Sequence, residues 1–595
     1  MTIRALGCSL LVATAVALAT LGMAPPANPS ETARRDLAAL LEEYWQFRLQ
    51  DDLGSRITLG MPVTRLPDVS EAGYREQGAF ARHMLERLER IDGTALPHED
   101  WLSLEIAKWE CREGVDFQDH FWQMPQLTTN SLPLRGVHSA LATLPLRNRA
   151  DLDGYLGLVR QYPGLVRQLR KNLDISRAKG ILVPKAMVDM VDPILRSFLR
   201  KPEESPLWVD DERLADLKKS GVDVAPFQAE LRRLVEAEVN PALTDLADAF
   251  AATRAAAPER ADIGQYPGGE AAYRALVRYH TTLDVKPEEI HRIGLERVDR
   301  LEARMAEVRT RLGFKGTKAD FQKMIRRDPR FVAKTPEEVA ERLMAAVRRM
   351  EPMVPKYFFH LPKAPYGVKR LDPILEGTTA TFGNYDLPTA TEPMGLYRYN
   401  GSKLSERPLL NAAALIYHEL IPGHHFQLNL QRENESLPAF RRLNYHTAYV
   451  EGWGEYASEL AGELGLYSDP YDEYGRLSMD MFLSTRLVVD TGMNLLGWPR
   501  QKAIDYMLKH DLETETQINT ETLRYSTRPA QALAYKMGSN KIRELRDHAE
   551  KALGPRFDVR RFHDAVLGSG SMPLSVLEKH IEWWIGEEKK RSTGV

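Results

Sequence analysis

Apolar residues recur at helical spacing through most of the first half of the chain. Leu37 to Leu49, Ala79 to Ile91, Leu152 to Leu173, Phe227 to Phe250 and Ile290 to Leu312 each carry one apolar face, and they predict a series of amphipathic helices. Between about 353 and 407 prolines, glycines and aromatics crowd together, in Lys356-Tyr-Phe-Phe-His360, Thr378-Thr-Ala-Thr-Phe382 and Gly395-Leu-Tyr397-Arg-Tyr-Asn400. That texture predicts a small antiparallel sheet. The segment Pro408 to Tyr417 then places proline near a helix start and follows it with uncharged helix formers, the pattern of a buried helix. The tail from Leu574 to Ile585 is amphipathic, and its Trp583-Trp584-Ile585 is expected to pack against the fold.

The breaker-rich stretch Ala255 to Gly269 is short and lies between helices, and the chain shows no internal repeat or low-complexity linker. The expected organisation is a mainly α-helical single unit over 28–595, with lobes of approximately 28–370 and 371–595 around a cleft and the small sheet beside the buried helix. A length of 595 residues with 43% hydrophobic content is enough for a large core. Net charge is -3 and basic residues are interspersed with acids, so nucleic acid is not an expected partner.

Residues 1–27 have the form of a signal peptide: Arg4, an apolar stretch from Ala5 to Ala24, then Pro25-Pro26-Ala27. The expected destination is the periplasm or the exterior, with no stable membrane insertion after cleavage. Cys8 precedes most of the apolar stretch, too early for lipid attachment. Cleavage leaves Cys111 as the one cysteine, which excludes an internal disulfide, and Cys111 is expected to be a buried small side chain.

Candidate chemistry is concentrated after the buried helix. Tyr417-His418-Glu419-Leu-Ile-Pro-Gly-His424-His425-Phe-Gln427 starts like the zinc motif H-E-x-x-H, in which histidines one turn apart bind one ion, but Pro422-Gly423 interrupts it. On an unbroken helix His424 would stand about 9 Å along the axis from His418 and roughly 240° round it, and His425 about 10.5 Å away on the same face. Either histidine therefore needs a kink. Proline removes a donor, and glycine tolerates left-handed or bulged backbone. His424 is the preferred second ligand and His425 its rival. The following stretch His446 to Glu459 offers Glu451 as third ligand, Glu455 to orient a histidine, and Glu459 as an interhelical or surface carboxylate.

Several motifs carry a family resemblance: His418 to Gln427, Glu451-Gly-Trp-Gly-Glu-Tyr456, Arg486-Leu-Val-Val-Asp-Thr-Gly492 with Gly497-Trp498, and Glu521 through Arg524-Tyr525 to Gln531, Tyr535 and Gly538. Weaker similarity includes Ile290-His-Arg-Ile-Gly294 and Gly395-Leu-Tyr397. The chain resembles the bacterial "domain of unknown function 885" proteins, which look like relatives of the helical gluzincins that include angiotensin-converting enzyme and neurolysin. It departs from many relatives at Asn494, where they carry histidine. The resemblance implies a two-lobed, zincin-like helical peptidase fold and one zinc ion per chain on His418, His424 and Glu451. Glu419 would be the general base, and Tyr525 or Tyr535 would stabilise the oxyanion. Arg524, like Arg528, is a candidate for binding a substrate carboxylate.

In relatives of this architecture an edge strand before the metal helix can pair with an extended peptide, so Gly395 to Tyr399, with Tyr397, is a candidate substrate rail. The expected activity is hydrolysis of oligopeptides by metal-activated water. The alternatives are a metal-dependent amidase acting on a modified amino acid or cell-wall fragment, and a non-catalytic peptide-binding protein.

Overall fold

The computed structural model describes residues 29–376, 383–389 and 392–591. The expected signal peptide and the Thr378 to Phe382 segment lie outside the described residues.

The apolar periodicities become helices with legible ends. Glu71–Leu88 starts where the Ser70 hydroxyl accepts from the Gly73 N–H at 3.1 Å, and Arg149–Ala178 where the Asn148 side chain accepts from Asp151 N–H at 3.0 Å. The segment Ile290 to Leu312 falls on Pro287–Arg311, which has proline at its first position and ends one residue earlier, with Leu312 as its cap. The Phe227 to Phe250 pattern is not one regular helix. Ala225–Leu234 passes through a π-helical turn, Val235–Val239, into Asn240–Ala252, because Pro241 has no N–H for the ladder.

The apolar cores cross the boundary expected near 370. The main core joins Leu37, Leu102, Ile106 and Leu343 from the first part of the chain to Ile416, Trp453, Ile542 and Ile581 from the last. A second core draws on residues from Leu53 to Ala257, with Leu523 as its contribution from the C-terminal part. The terminal helix Leu574–Arg591 buries Trp584 and Ile585 in the main core, while Trp583 stays 42% exposed and stacks on His98. Cys111 is buried, and that burial pushes its thiol up to about 12. No helix among the described residues is long and apolar enough to cross a membrane.

The sheet is mixed, which corrects the antiparallel expectation. Strands β1 (Tyr366–Arg370), β2 (Gly383–Asp386) and β3 (Gly395–Tyr399) lie in the order β1-β3-β2, with β3 parallel to β1 and antiparallel to β2. β3 is therefore central. Both edges of Gly395 to Tyr399 are paired, so it cannot serve as a free rail for substrate backbone.

Candidate metal centre

The interrupted motif folds as two helices. Ala412–Glu419 ends at His418-Glu419, and a new helix, His424–Glu433, starts at the next motif histidine. Pro422 is held from the facing helix, Thr447–Glu463, where Trp453 Nε1 donates to the Pro422 carbonyl at 2.8 Å. Gly423 is not left-handed, since its φ is -81°. Glycine is required for another reason: a Cβ there would stand 1.8 Å from the His418 carbonyl oxygen. The break turns the chain back so tightly that the two histidine rings meet edge to face, with centroids 4.5 Å apart.

Glu451 comes from Thr447–Glu463 and completes a buried trio. His424 Nε2 lies 3.3 Å and His418 Nε2 3.6 Å from Glu451 Oε2, and the three ligand atoms fall within 4.8 Å of one another. Ligand bonds of 2.0–2.1 Å in a tetrahedron put neighbouring ligand atoms about 3.4 Å apart, so two imidazole nitrogens and a carboxylate at these separations suit zinc. The Nδ1 atoms of both histidines are buried without a hydrogen-bond partner. Burial disfavours the Glu451 charge, but His418 and His424 outweigh it and hold the carboxyl well below the usual carboxylate range. Burial likewise opposes a charged His424, and Glu451 overrides it to raise that imidazole. Burial raises the Glu419 carboxyl against the attraction of His424 and His418.

His425 points elsewhere. Its Nδ1 meets the Tyr385 hydroxyl at 2.9 Å and its Nε2 the Ala364 carbonyl at 3.1 Å, so both ring nitrogens are engaged away from the trio. Burial pushes this imidazole down to about 4.

Glu455 stands behind His418. Its Oε2 faces His418 Nδ1 at 3.9 Å, while its Oε1 accepts from Arg476 and from Lys536 Nζ at 3.0 Å. Glu459, at 2.7 Å from Lys536 Nζ, is an interhelical ion-pair partner. The second acidic cluster, Glu455, Glu459 and Asp480, is thus already neutralised by lysine and arginine.

The tyrosine and arginine candidates divide. Tyr535 is half-buried on the helix Ala534–Leu553, with its ring 6.1 Å from that of His418 and the Arg486 guanidinium 4.9 Å from its centroid. Tyr525 is fully buried in an apolar cluster, and its hydroxyl donates to Glu521 Oε2 at 2.8 Å. Arg524 is tied within its own motif, to Glu521 Oε1 at 3.3 Å and to Gln531. Asn494 is a structural junction. It donates to the Asp490 and Tyr525 carbonyls and accepts from Ile263 N–H. Tyr397 is buried at the centre of the sheet with no hydrogen-bond partner for its hydroxyl, and burial together with the Glu419 charge holds its phenol well above the usual range.

Sequence reasoning missed Tyr445. It precedes the glutamate helix, its hydroxyl donates to Glu451 Oε1 at 3.4 Å, and its ring lines a cavity of about 680 Å³ together with His446 and Arg528. No motif marks it; its place just ahead of Glu451 was the available signal.

Among curated proteins nothing matches. Among the solved structures that share the fold are two described as lipoproteins. "The crystal structure of the putative lipoprotein from Colwellia psychrerythraea" has a TM-score of 0.83 and 24% identity, covering 93% of this chain and 99% of that one. "The structure of a putative lipoprotein of unknown function from Shewanella oneidensis" has a TM-score of 0.70 and 17% identity, covering 92% and 99%. The family model described as "Bacterial protein of unknown function (DUF885)" matches residues 54–581, more than half of the sequence, and the chain belongs to that family.

Proposed function

We propose that this chain is an exported, zinc-dependent peptidase that hydrolyses oligopeptides at the His418, His424 and Glu451 centre. The observation that carries this reading is the meeting of two imidazoles and a carboxylate at tetrahedral ligand spacings across a broken helix, beside a glutamate and a cavity. When bound there, zinc would supply Lewis acidity and bring the pKa of a water to about 7. Glu419 follows a ligand directly in sequence, and its charge acts on His424, Tyr397 and Tyr445, which supports reading it as the general base.

In this reading Glu419 takes a proton from the attacking water and passes it to the leaving nitrogen. The water oxygen bonds to the carbonyl carbon, the C–N bond breaks, and a carboxylate and an amine result. Charge developing on the carbonyl oxygen needs a donor across the cleft, and the candidates are Tyr445, whose hydroxyl reaches Glu451, and Tyr535, whose ring lies 6.1 Å from that of His418. Glu455 Oε2, 3.9 Å behind His418 Nδ1, would orient that ring by its charge. The gluzincin relationship belongs to this proposal. So does export, which rests on the form of residues 1–27 and on the lipoprotein descriptions of the two similar structures.

Metal analysis of the purified protein tests the centre. Wild type is expected to carry near one zinc per chain, lost in His424→Ala and kept in His425→Ala. Wild type, but not Glu419→Gln, is then expected to cleave a mixed peptide library. A wild type that takes up no zinc on supplementation, or a Glu419→Gln variant that cleaves as well as wild type, would overturn the proposal.

A further inference from the structure

The cavity that Tyr445 shares with the trio is lined by one guanidinium that no carboxylate among the described residues bridges. Of its acidic lining residues, Asp51 pairs with Arg65 at 2.9 Å, Glu110 with Arg48 at 2.9 Å and Glu113 with Arg278 at 2.9 Å. Arg48 is thereby spent on Glu110. Arg528 also lines the cavity, is exposed to it, and has no ion-pair or side-chain hydrogen-bond partner among the described residues. Each lining carboxylate is already bridged by a guanidinium, so in a cavity of about 680 Å³ Arg528 is the lining guanidinium left open to an anionic group of a small-molecule ligand.

The loop that presents Arg528 is built for a fixed position. Ala530 has φ +67°, a left-handed conformation unusual for a residue with a side chain, and its N–H donates to both Asp490 carboxylate oxygens, at 3.0 and 3.1 Å. Tyr445 links this end of the cavity to the trio: its ring lines the same space, its hydroxyl reaches Glu451, and it feels the charges of both Glu451 and Arg528. The wall nearby is aromatic. Trp109, Phe117 and Tyr279 all face the cavity, with Tyr279 5.3 Å from Phe117 and 6.1 Å from Trp109 between ring centroids.

We infer that this cavity takes the carboxyl end of a peptide, with the free α-carboxylate on the Arg528 guanidinium and a large apolar or aromatic side chain against Trp109, Phe117 and Tyr279. The protein then cuts near the carboxyl end of a peptide instead of within a chain. The direction of cutting rests on the peptidase reading; carboxylate recognition does not. A bidentate pair with arginine distinguishes a carboxylate from its amide, because the amide offers one acceptor and no charge.

The test uses N-acetyl-Ala-Ala-Ala-Phe as free acid and as carboxamide, with zinc-loaded protein. Wild type is expected to cleave the acid with a kcat/KM about 100-fold above the amide, the range for a hydrogen-bonded charge. Arg528→Gln is expected to bring the ratio near one, and Arg528→Lys to restore part of it. Unfolding midpoints verify that these exposed-site variants are folded. Equal cleavage of acid and amide by wild type overturns the inference and leaves the peptidase reading standing.

Calorimetric binding to Glu419→Gln separates the two ideas if no cleavage occurs. Preference for the acid that disappears when Arg528→Gln is added supports the carboxylate site without the peptidase. Binding that ignores amidation, or no binding, overturns it.

Discussion

A Cβ added at Gly454 would stand 3.0 to 3.1 Å from three atoms of the His418 ring, so the missing methyl of this residue is what lets the imidazole lie flat against the glutamate helix and aim Nε2 at Glu451. The neighbouring backbone is rigid and buried, leaving the ring as the part that must give way. Gly454→Ala is therefore expected to lower zinc affinity by about 10–100-fold, the range for disturbing the support of a ligand, with little loss of fold. Competition against a chelator measures this, and unchanged affinity would show that His418 tolerates the displacement. Tyr397 and Tyr445 belong to the same scale. Tyr397 keeps its hydroxyl buried in the central strand, whereas Tyr445 brings its hydroxyl to Glu451 from just before the glutamate helix.

Between elements, close approach is again set by glycine. A Cβ at Gly538 would lie 1.9 Å from the Ala448 carbonyl oxygen, and one at Gly452 2.5 Å from Gly538 backbone atoms, so Thr447–Glu463 and Ala534–Leu553 cross with their backbones almost touching. That crossing brings Lys536, fully buried, onto Glu455, Glu459 and Asp480. The helix Pro470–Asn494 is joined to the Arg528 loop by Asp490, which also accepts from the Tyr273 hydroxyl at 2.7 Å.

Burial raises the Asp490 carboxyl to about 7 against those hydrogen bonds. The unfolded value is about 3.9, so between pH 4 and 7 the folded chain binds this proton more strongly than the unfolded chain does, and stability from this group falls as pH rises through that window. Asp490→Asn removes the titration. Its unfolding midpoint, relative to wild type, is expected to be higher at pH 8 than at pH 5; a difference independent of pH would count against a raised carboxyl at 490.

Across the whole molecule, hydrogen bonds tie the part after 370 to the part before it. Tyr417 donates to the Ala346 carbonyl at 3.1 Å, Arg441 to the Glu99 carbonyl at 3.0 Å and Ser103 Oγ at 3.1 Å, and Leu574 N–H to Thr282 Oγ1 at 2.8 Å. The main core continues this mixing from Leu37 to Ile585. A fragment of residues 371–595 would keep every metal-ligand candidate yet lose the core side chains from Leu37 to Phe358, and it is expected to show no cooperative thermal transition by circular dichroism. A sharp transition would mean that the C-terminal part is a self-sufficient lobe.

Local order was legible before any coordinates. Periodicity, proline at helix starts and side-chain caps depend on neighbours a few residues apart, and so the helices Glu71–Leu88, Arg149–Ala178 and Pro287–Arg311 follow from the chain itself. The break at Pro422-Gly423 and the nomination of His418, His424 and Glu451 as a set have the same local origin. Contacts between distant residues decided the rest. That His425 is engaged by Tyr385 and Ala364, that Tyr525 is turned into an apolar cluster, that β3 is central, and that Arg528 faces its cavity without an ion-pair partner among the described residues all depend on which segments pack together. Spacing along a chain constrains directions over a turn or two of helix; beyond that, close packing and the pairing of buried polar groups determine which side chains meet.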